Sequence, residues 1–423
     1  MAEKRDLLDD LIDIQQDWAS VSNPLGGIAD TLAADPSKVR QFDPSEFKER
    51  PRVNSIFCLR VSSGRDDVCS RCLDVCPVDA IQIKGAAIKV LDSCRKCGLC
   101  TMACPTEAFL VQRIMAKQLY DKIVRVASAY EQCYVTCTRA IGRLPKDNEV
   151  VLPCVGAMPT EVWHALLSEF DNVSVYLPLG ICDRCRTTTG EAAYVDQIGQ
   201  AEEWSGGSVG LEVDEGQMTH EQTRAYKRGQ FVNSMVQAGQ TALLAGNPSL
   251  LGAKAVAQRI QDHSRKITSM QRELERMVGD KTTANRRRVL TQKRKTLLTT
   301  LQGRPRLARP IVLDVPSCDP SRCTMCGDCV KACPVHACDL DAGGRFSVEA
   351  AYCLNCGACA KVCPEGALTM VAGDPQQLVV RDEEAERRAR AEAKQREQVQ
   401  KAKEEGKRQL KRGLDILERL ADD

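Results

Sequence analysis

Residues 323–334 read "CTMCGDCVKACP". Four cysteines spaced C-x2-C-x2-C-x3-C and closed by proline are a dense donor set. Three thiolates on one tight loop converge on three corners of a metal–sulfur cube, and Gly327 lets the backbone wrap closely with N–H groups turned inward. The proline turns the chain away, so the fourth thiol, Cys333, reaches a different site. The block recurs: "CGACAKVCPEGAL" from Cys356, "CGLCTMACPTEAF" from Cys97 and "CSRCLDVCPVDAI" from Cys69 align without gaps with "CGDCVKACPVHAC" from Cys326. Three of the four blocks carry a further cysteine three residues upstream, at Cys94, Cys323 and Cys353. Internal repetition of this kind organises the chain before any other reading.

The blocks fall in two pairs, 58–104 and 323–363, and each pair resembles a two-cluster bacterial-type ferredoxin module, two strand–loop–helix halves related by a pseudo-twofold axis. The resemblance implies four [4Fe-4S] clusters with crossed ligation. In the C-terminal module Cys323, Cys326, Cys329 and Cys363 would hold one cubane, and Cys353, Cys356, Cys359 and Cys333 the other. In the N-terminal module Cys94, Cys97, Cys100 and Cys76 would hold one, and Cys69, Cys72 and Cys104 three corners of the last. Structural zinc sites close with two C-x2-C knuckles and have no use for third cysteines and Cys-Pro endings.

The fourth corner of that last cluster is open. Strict repetition points to Asp66; the thiol candidate is Cys58, separated from Cys69 by "LRVSSGRDDV". Thiolate is the softer and preferred iron ligand, which favours Cys58. With neither residue bound, a three-iron cluster results. The insert, with Ser62, Ser63 and Gly64, reads as a surface loop able to fold back or to contact a partner. Cys338 occupies the slot of Ile81, Phe109 and Leu368 and reads as a small buried hydrophobe. Cys318 reads as a spare thiol or as a group beside the ligands, and not as a ligand itself.

Residues 121–200 change character. Short apolar runs in "QCYVTCTRA", "EVVLPCVGAMP" and "VSVYLPLGICDRC" read as buried strands, with the helical pattern "PTEVWHALLSEF" between the last two. Strand, helix, strand predicts a small parallel α/β unit, with Cys133, Cys137, Cys154, Cys182 and Cys185 at strand ends or in the turns that follow, where such sheets place functional groups. On "CYVTC", "LPCVGAMPTE" and "LPLGICDRC" this region resembles the delta subunit of the methyl-viologen-reducing hydrogenases. That resemblance implies a [2Fe-2S] cluster on four of the five cysteines. It also implies partners that are flavin- or metal-containing oxidoreductase subunits, heterodisulfide-reductase-like or hydrogenase-like. The final pair departs from the family in its two-residue separation. A redox-active Cys182/Cys185 disulfide and a zinc site are the competing readings. His164 lies off the apolar stripe of its helix and reads as a surface residue.

From Thr219 the pattern turns helical. Thr219 with Gln222 reads as a capping box, and Ile260, Ile267, Met270, Leu274 and Met277 follow coiled-coil-like spacing, so a helical hairpin bridging the two modules is expected. In "RRRVLTQKRK", residues 286–295, six of ten side chains are basic. A solvated helix face is the first reading, docking to an acidic partner the second and nucleic acid the last, since no aromatic interleaves the charges.

The expected class is α+β multidomain. Its parts are an N-terminal arm (1–50), a 2[4Fe-4S] module (51–115), an α/β domain (120–200), a helical spacer (217–302), a second 2[4Fe-4S] module (308–375) and a charged helical tail (376–423). Among 423 residues the net charge is +2, which points to neither nucleic acid nor a membrane surface. Twenty-three cysteines in tight runs read as metal ligands in a cytoplasmic, anaerobic setting, and no apolar stretch reaches a membrane span. No dinucleotide fingerprint, phosphate loop or catalytic triad is present. Electron transfer is the expected function, as a relay within a larger oxidoreductase. A redox enzyme with a substrate- or thiol-active middle domain and an iron–sulfur scaffold are the alternatives.

Overall fold

The computed structural model describes residue 47, residues 49–222 and 248–381, and residues 387, 390 and 391. The expected arm and charged tail lie almost wholly outside the described residues.

The N-terminal module runs β1 (Arg52–Val53), α1 (Leu59–Ser63), α2 (Arg71–Asp74), the hairpin β2 (Ile81–Lys84) and β3 (Ala87–Val90), α3 (Leu99–Ala103) and β4 (Phe109–Leu110). Strand β1 pairs with β4 and β2 with β3, both antiparallel. These ladders are too short to carry a core of their own, and the apolar residues they bury are interleaved with Cys58, Cys72 and Cys104.

Helix α4 (Ala116–Ala129) leads into the α/β domain, which comprises β5 (Cys133–Cys137), β6 (Glu149–Leu152), α5 (Thr160–Leu167), β7 (Val173–Tyr176), α6 (Gly190–Ser205) and β8 (Gly210–Glu212). The four strands form one parallel sheet in the order β6-β5-β7-β8. Leu119, Ile123 and Ala127 on one stripe of α4, with Val162, Trp163 and Leu166 of α5, bury the sheet in the largest core of the molecule. From β5 the chain steps to β6 on one side and then crosses to β7 on the other, so the topological switch point lies at the carboxyl end of β5.

Two helices follow, α7 (Pro248–Val278) and α8 (Gln292–Gly303), and they pack on each other. Helix α7 also lies on α4, where His263 stacks on Tyr120 with ring centroids 4.0 Å apart, while α8 lies across α4 and α5. The expected hairpin is therefore present from residue 248 onward. Residues 219–222 depart from expectation. Thr219 donates its backbone N–H to the Tyr134 hydroxyl at 3.0 Å, and Gln222 bridges to Tyr130 in antiparallel fashion, so this stretch is extended and Thr219 caps no helix there.

The C-terminal module repeats the first: β9 (Asp314–Cys318), α9 (Asp328–Lys331), β10 (Cys338–Leu340), β11 (Phe346–Val348), α10 (Ala358–Val362) and β12 (Leu368–Ala372), with β9 paired to β12 and β10 to β11. Register exposes the pseudosymmetry. Val53 opposes Phe109 in the first module as Cys318 opposes Leu368 in the second. Val53 precedes Cys58 by the same five residues that separate Cys318 from Cys323, so Cys58 occupies the first-cysteine position of its block.

The "LRVSSGRDDV" insert does not protrude. Leu59 and Val68 at its ends bury against Ala332, Ala358 and Val362 of the C-terminal module, beside Cys69 and Cys356. Arg65 Nη1 donates to the Lys361 carbonyl at 3.0 Å, and Lys361 Nζ donates to the Val68 carbonyl at 3.0 Å. The contact the loop makes is with the chain's own second module.

Candidate metal centres

Turn chemistry shapes each cysteine loop. In three blocks the residue before the second cysteine (Lys96, Met325, Asn355) and the glycine after it (Gly98, Gly327, Gly357) both take positive φ, coiling the backbone around the thiols. A Cβ on Gly98 would also stand 2.2 Å from Ile114 Cδ1, so only glycine fits both the turn and its packing. The third residue after the cysteine of every Cys-Pro again has positive φ (Asp79, Glu107, His336, Gly366). The next backbone N–H then donates to the cysteine sulfur: Ala80 to Cys76, Ala108 to Cys104, Ala337 to Cys333 and Ala367 to Cys363, at 3.2–3.3 Å. The first block lacks the double turn at Cys69 and Cys72, because its first cysteine arrives from beyond the insert.

The thiols gather in five sets. Set 1 joins Cys137, Cys154, Cys182 and Cys185. Set 2 is Cys76, Cys94, Cys97 and Cys100. Set 3 is Cys58, Cys69, Cys72 and Cys104. Set 4 is Cys333, Cys353, Cys356 and Cys359. Set 5, Cys323, Cys326, Cys329 and Cys363, lines one cavity together with Cys318. The geometry is crossed: Cys76 and Cys104 exchange halves in the first module, as Cys333 and Cys363 do in the second.

Cys58 is buried and faces Cys69 and Cys104, whereas the Asp66 side chain is 82% exposed and pairs with Arg60 at 3.4 Å. Asp66 points away from the set that strict repetition assigns to it. In the α/β domain Cys137 ends β5 and the other three members of set 1 follow β6 and β7, all at the carboxyl edge of the sheet. Cys133 begins β5, four residues or about 13 Å away along the strand, and is sealed in the apolar core. It is the cysteine of the five that joins no set. Both members of the Cys182/Cys185 pair are free thiols facing Cys137.

Burial pushes the thiols of Cys72, Cys154 and Cys356 up to about 12, with neighbouring sulfurs adding to the rise. A concentration of buried thiols in this state is relieved by metal, which deprotonates its ligands outright. Among the described residues no three His, Cys, Asp or Glu side chains stand close enough to share a single ion.

The sets are also neighbours in series. Cys154 of set 1 feels Cys97 of set 2, and Cys100 of set 2 feels Cys72 of set 3. Cys69 of set 3 and Cys356 of set 4 pack on the same apolar cluster at the insert, and Cys329 of set 5 feels Cys359 of set 4. Thr189 Oγ1 donates to the Val75 carbonyl at 2.7 Å, fastening the α/β domain to the first module at the junction of sets 1 and 2.

Cys338 is buried in the apolar core as expected, next to Cys333 and Cys359 of set 4. Two sequence readings need correction. His164 is fully buried, edge-on to Trp204 of α6 with centroids 5.9 Å apart, because α4, α6 and α8 all pack on α5. The basic run is largely internal. Arg286 donates to the Val330 carbonyl and Arg288 to the carbonyls of Val278, Gly279 and Lys281, and Lys293 and Arg294 are both buried.

Comparison with known proteins agrees with the two modules. Residues 322–367 match the 4Fe-4S dicluster domain family and residues 87–110 the 4Fe-4S binding domain family. Over 62 residues the chain is 36% identical to an uncharacterized ferredoxin of Methanocaldococcus jannaschii; the match covers 14% of this chain and 37% of that protein's length. No solved structure matches significantly. Among the described residues no helix is long and apolar enough to cross a membrane. The chain thus carries two 4Fe-4S ferredoxin-type domains and at least two clusters, and domains of this type imply electron transfer.

Proposed function

We propose that the chain is a multi-cluster electron relay with a [2Fe-2S] cluster on set 1 and [4Fe-4S] clusters on sets 2 to 5, serving as a subunit of a larger oxidoreductase. The observation that carries this reading is the unbranched series of five cysteine sets, each beside the next, across three domains. Each cluster, when bound, supplies a one-electron couple. The protein's part is spacing and environment: buried thiols, backbone donors to sulfur, and the insert that docks set 3 onto set 4. A scaffold using metal only as a staple has no need of sets in series. A thiol-active middle domain loses support because Cys133, the spare thiol, lies at the far end of its strand. Set 1 at the switch point of a parallel sheet is consistent with the resemblance to the hydrogenase delta subunit. That resemblance favours a flavin- or metal-bearing partner, heterodisulfide-reductase-like or hydrogenase-like.

The test is anaerobic isolation from the native host under mild conditions, with mass spectrometry of what co-purifies. A retained flavoprotein, hydrogenase or dehydrogenase subunit is the expected result. A protein that comes out alone, with clusters that dithionite fails to reduce, would overturn the relay reading.

A further inference from the structure

Lys293 and Arg294 open helix α8 at the seam between the two modules, 7% and 5% exposed. Lys293 Nζ donates to the carbonyls of Met102 at 2.8 Å, Cys104 at 2.6 Å and Thr101 at 3.3 Å. Arg294 Nη2 donates to the carbonyl of Cys353, and its Nη1 is buried without a partner. Among the described residues neither side chain forms an ion pair. The carboxylate of Glu107 is engaged at the backbone N–H groups of Gln292 and Lys293, and Glu161 acts on Arg294 only from beyond ion-pair distance. Two adjacent buried cations held only by neutral carbonyls are costly unless an anion lies beside them.

Their positions supply one. Cys104 belongs to set 3 and Cys353 to set 4, the sets on either side of the module junction and the inner pair of the four cubane sites. A thiolate-ligated cubane is anionic and gains a further negative charge on reduction, so a buried cation beside it stabilises the reduced form. We propose that Lys293 and Arg294 are charge-positioning residues that raise the reduction potentials of the clusters on sets 3 and 4, making the inner pair the place where electrons rest in the series. The inference rests on the cluster assignment above.

The test is a potentiometric titration followed by electron paramagnetic resonance on the anaerobic full-length protein and its K293M, R294M and R294K variants. In the wild type, two cubane transitions lie above the other two. R294M lowers one of the upper pair, and K293M the other, by at least tenfold in the one-electron equilibrium, or 59 mV. R294K, which keeps the charge, stays near the wild-type value, and the lower pair does not move. Because both cations are buried, the shifts persist at high salt. An R294M protein with full iron and unmoved potentials overturns the proposal, as does an R294K shift as large as that of R294M. Should R294M fail to retain iron, K293M decides by the same criterion. Wild-type iron content reports separately on the cluster assignment, since charge tuning moves potentials without changing the count.

Discussion

Replacing Cys58 with alanine isolates the departure of the first block from strict repetition. The side chain is 7% exposed and faces Cys69 and Cys104, so its loss removes one of four thiolates from set 3. Deleting the buried sulfur costs on the order of 1 kcal/mol in packing, small beside the loss of a metal ligand. A cubane with three remaining cysteines either sheds its unligated corner, a loss of about 1 iron, or is lost entirely, a loss of about 4 from roughly 16 cubane irons. Asp66→Ala provides the control. That carboxylate is 82% exposed with only Arg60 near it, so its removal stays within about 0.5 kcal/mol and leaves the iron count unchanged. Iron per chain is measured after anaerobic purification, with electron paramagnetic resonance of the oxidised protein, in which a three-iron core is paramagnetic and intact cubanes are silent. Full iron in Cys58→Ala, or iron loss in Asp66→Ala, would refute the assignment.

Three further outcomes follow from the packing. With the [2Fe-2S] cluster proposed for set 1, Cys133→Ala retains its absorption while Cys154→Ala loses it; the reverse pattern would place the wrong cysteine outside set 1. Val68→Asp sets a carboxylate into the apolar contact with Ala332, Ala358 and Val362. It should destabilise the module junction by roughly 3 kcal/mol in urea melts and slow electron equilibration between modules while all irons stay bound, an outcome that unchanged equilibration would contradict. Burial, with the charge of Arg304 adding, holds the His164 imidazole down to about 4 from an ordinary 6.5. The folded state keeps it neutral while the unfolded chain takes up a proton. Its contribution is therefore whole above pH 6.5 and declines as pH falls toward 4, by roughly 3 kcal/mol in all. Urea midpoints between pH 7 and 5 should flatten in His164→Gln, and parallel curves for the two proteins would count against the reading.

The cysteine blocks were legible because their chemistry is local. Four thiols, two left-handed turns and a proline lie within a dozen residues, and the crossed pairing is what the resemblance to two-cluster ferredoxin modules implies. The parallel sheet was legible from its apolar runs. Which of the five middle cysteines stands apart was not, since Cys133 and Cys137 share a face of β5 and only distance along the strand separates them. The insert after Cys58 looked like any polar surface loop, because its partners Ala332 and Lys361 lie some 270 to 300 residues away in sequence. The basic run misled for a related reason. A cation on buried carbonyls and a cation in water have the same composition, and the carbonyls that Lys293 and Arg294 meet belong to loops at positions 101–104 and 353. His164 failed on a rule of faces, since one apolar stripe describes a helix with one solvent side and α5 has none.

Mössbauer spectroscopy of the protein produced anaerobically with iron-57 decides whether each of the five cysteine sets holds the iron–sulfur cluster proposed for it. The expected count is about 18 irons per chain, roughly 16 with cubane parameters and 2 with those of a [2Fe-2S] pair. Iron sufficient for only two cubanes, or zinc in place of iron at set 1, would contradict it.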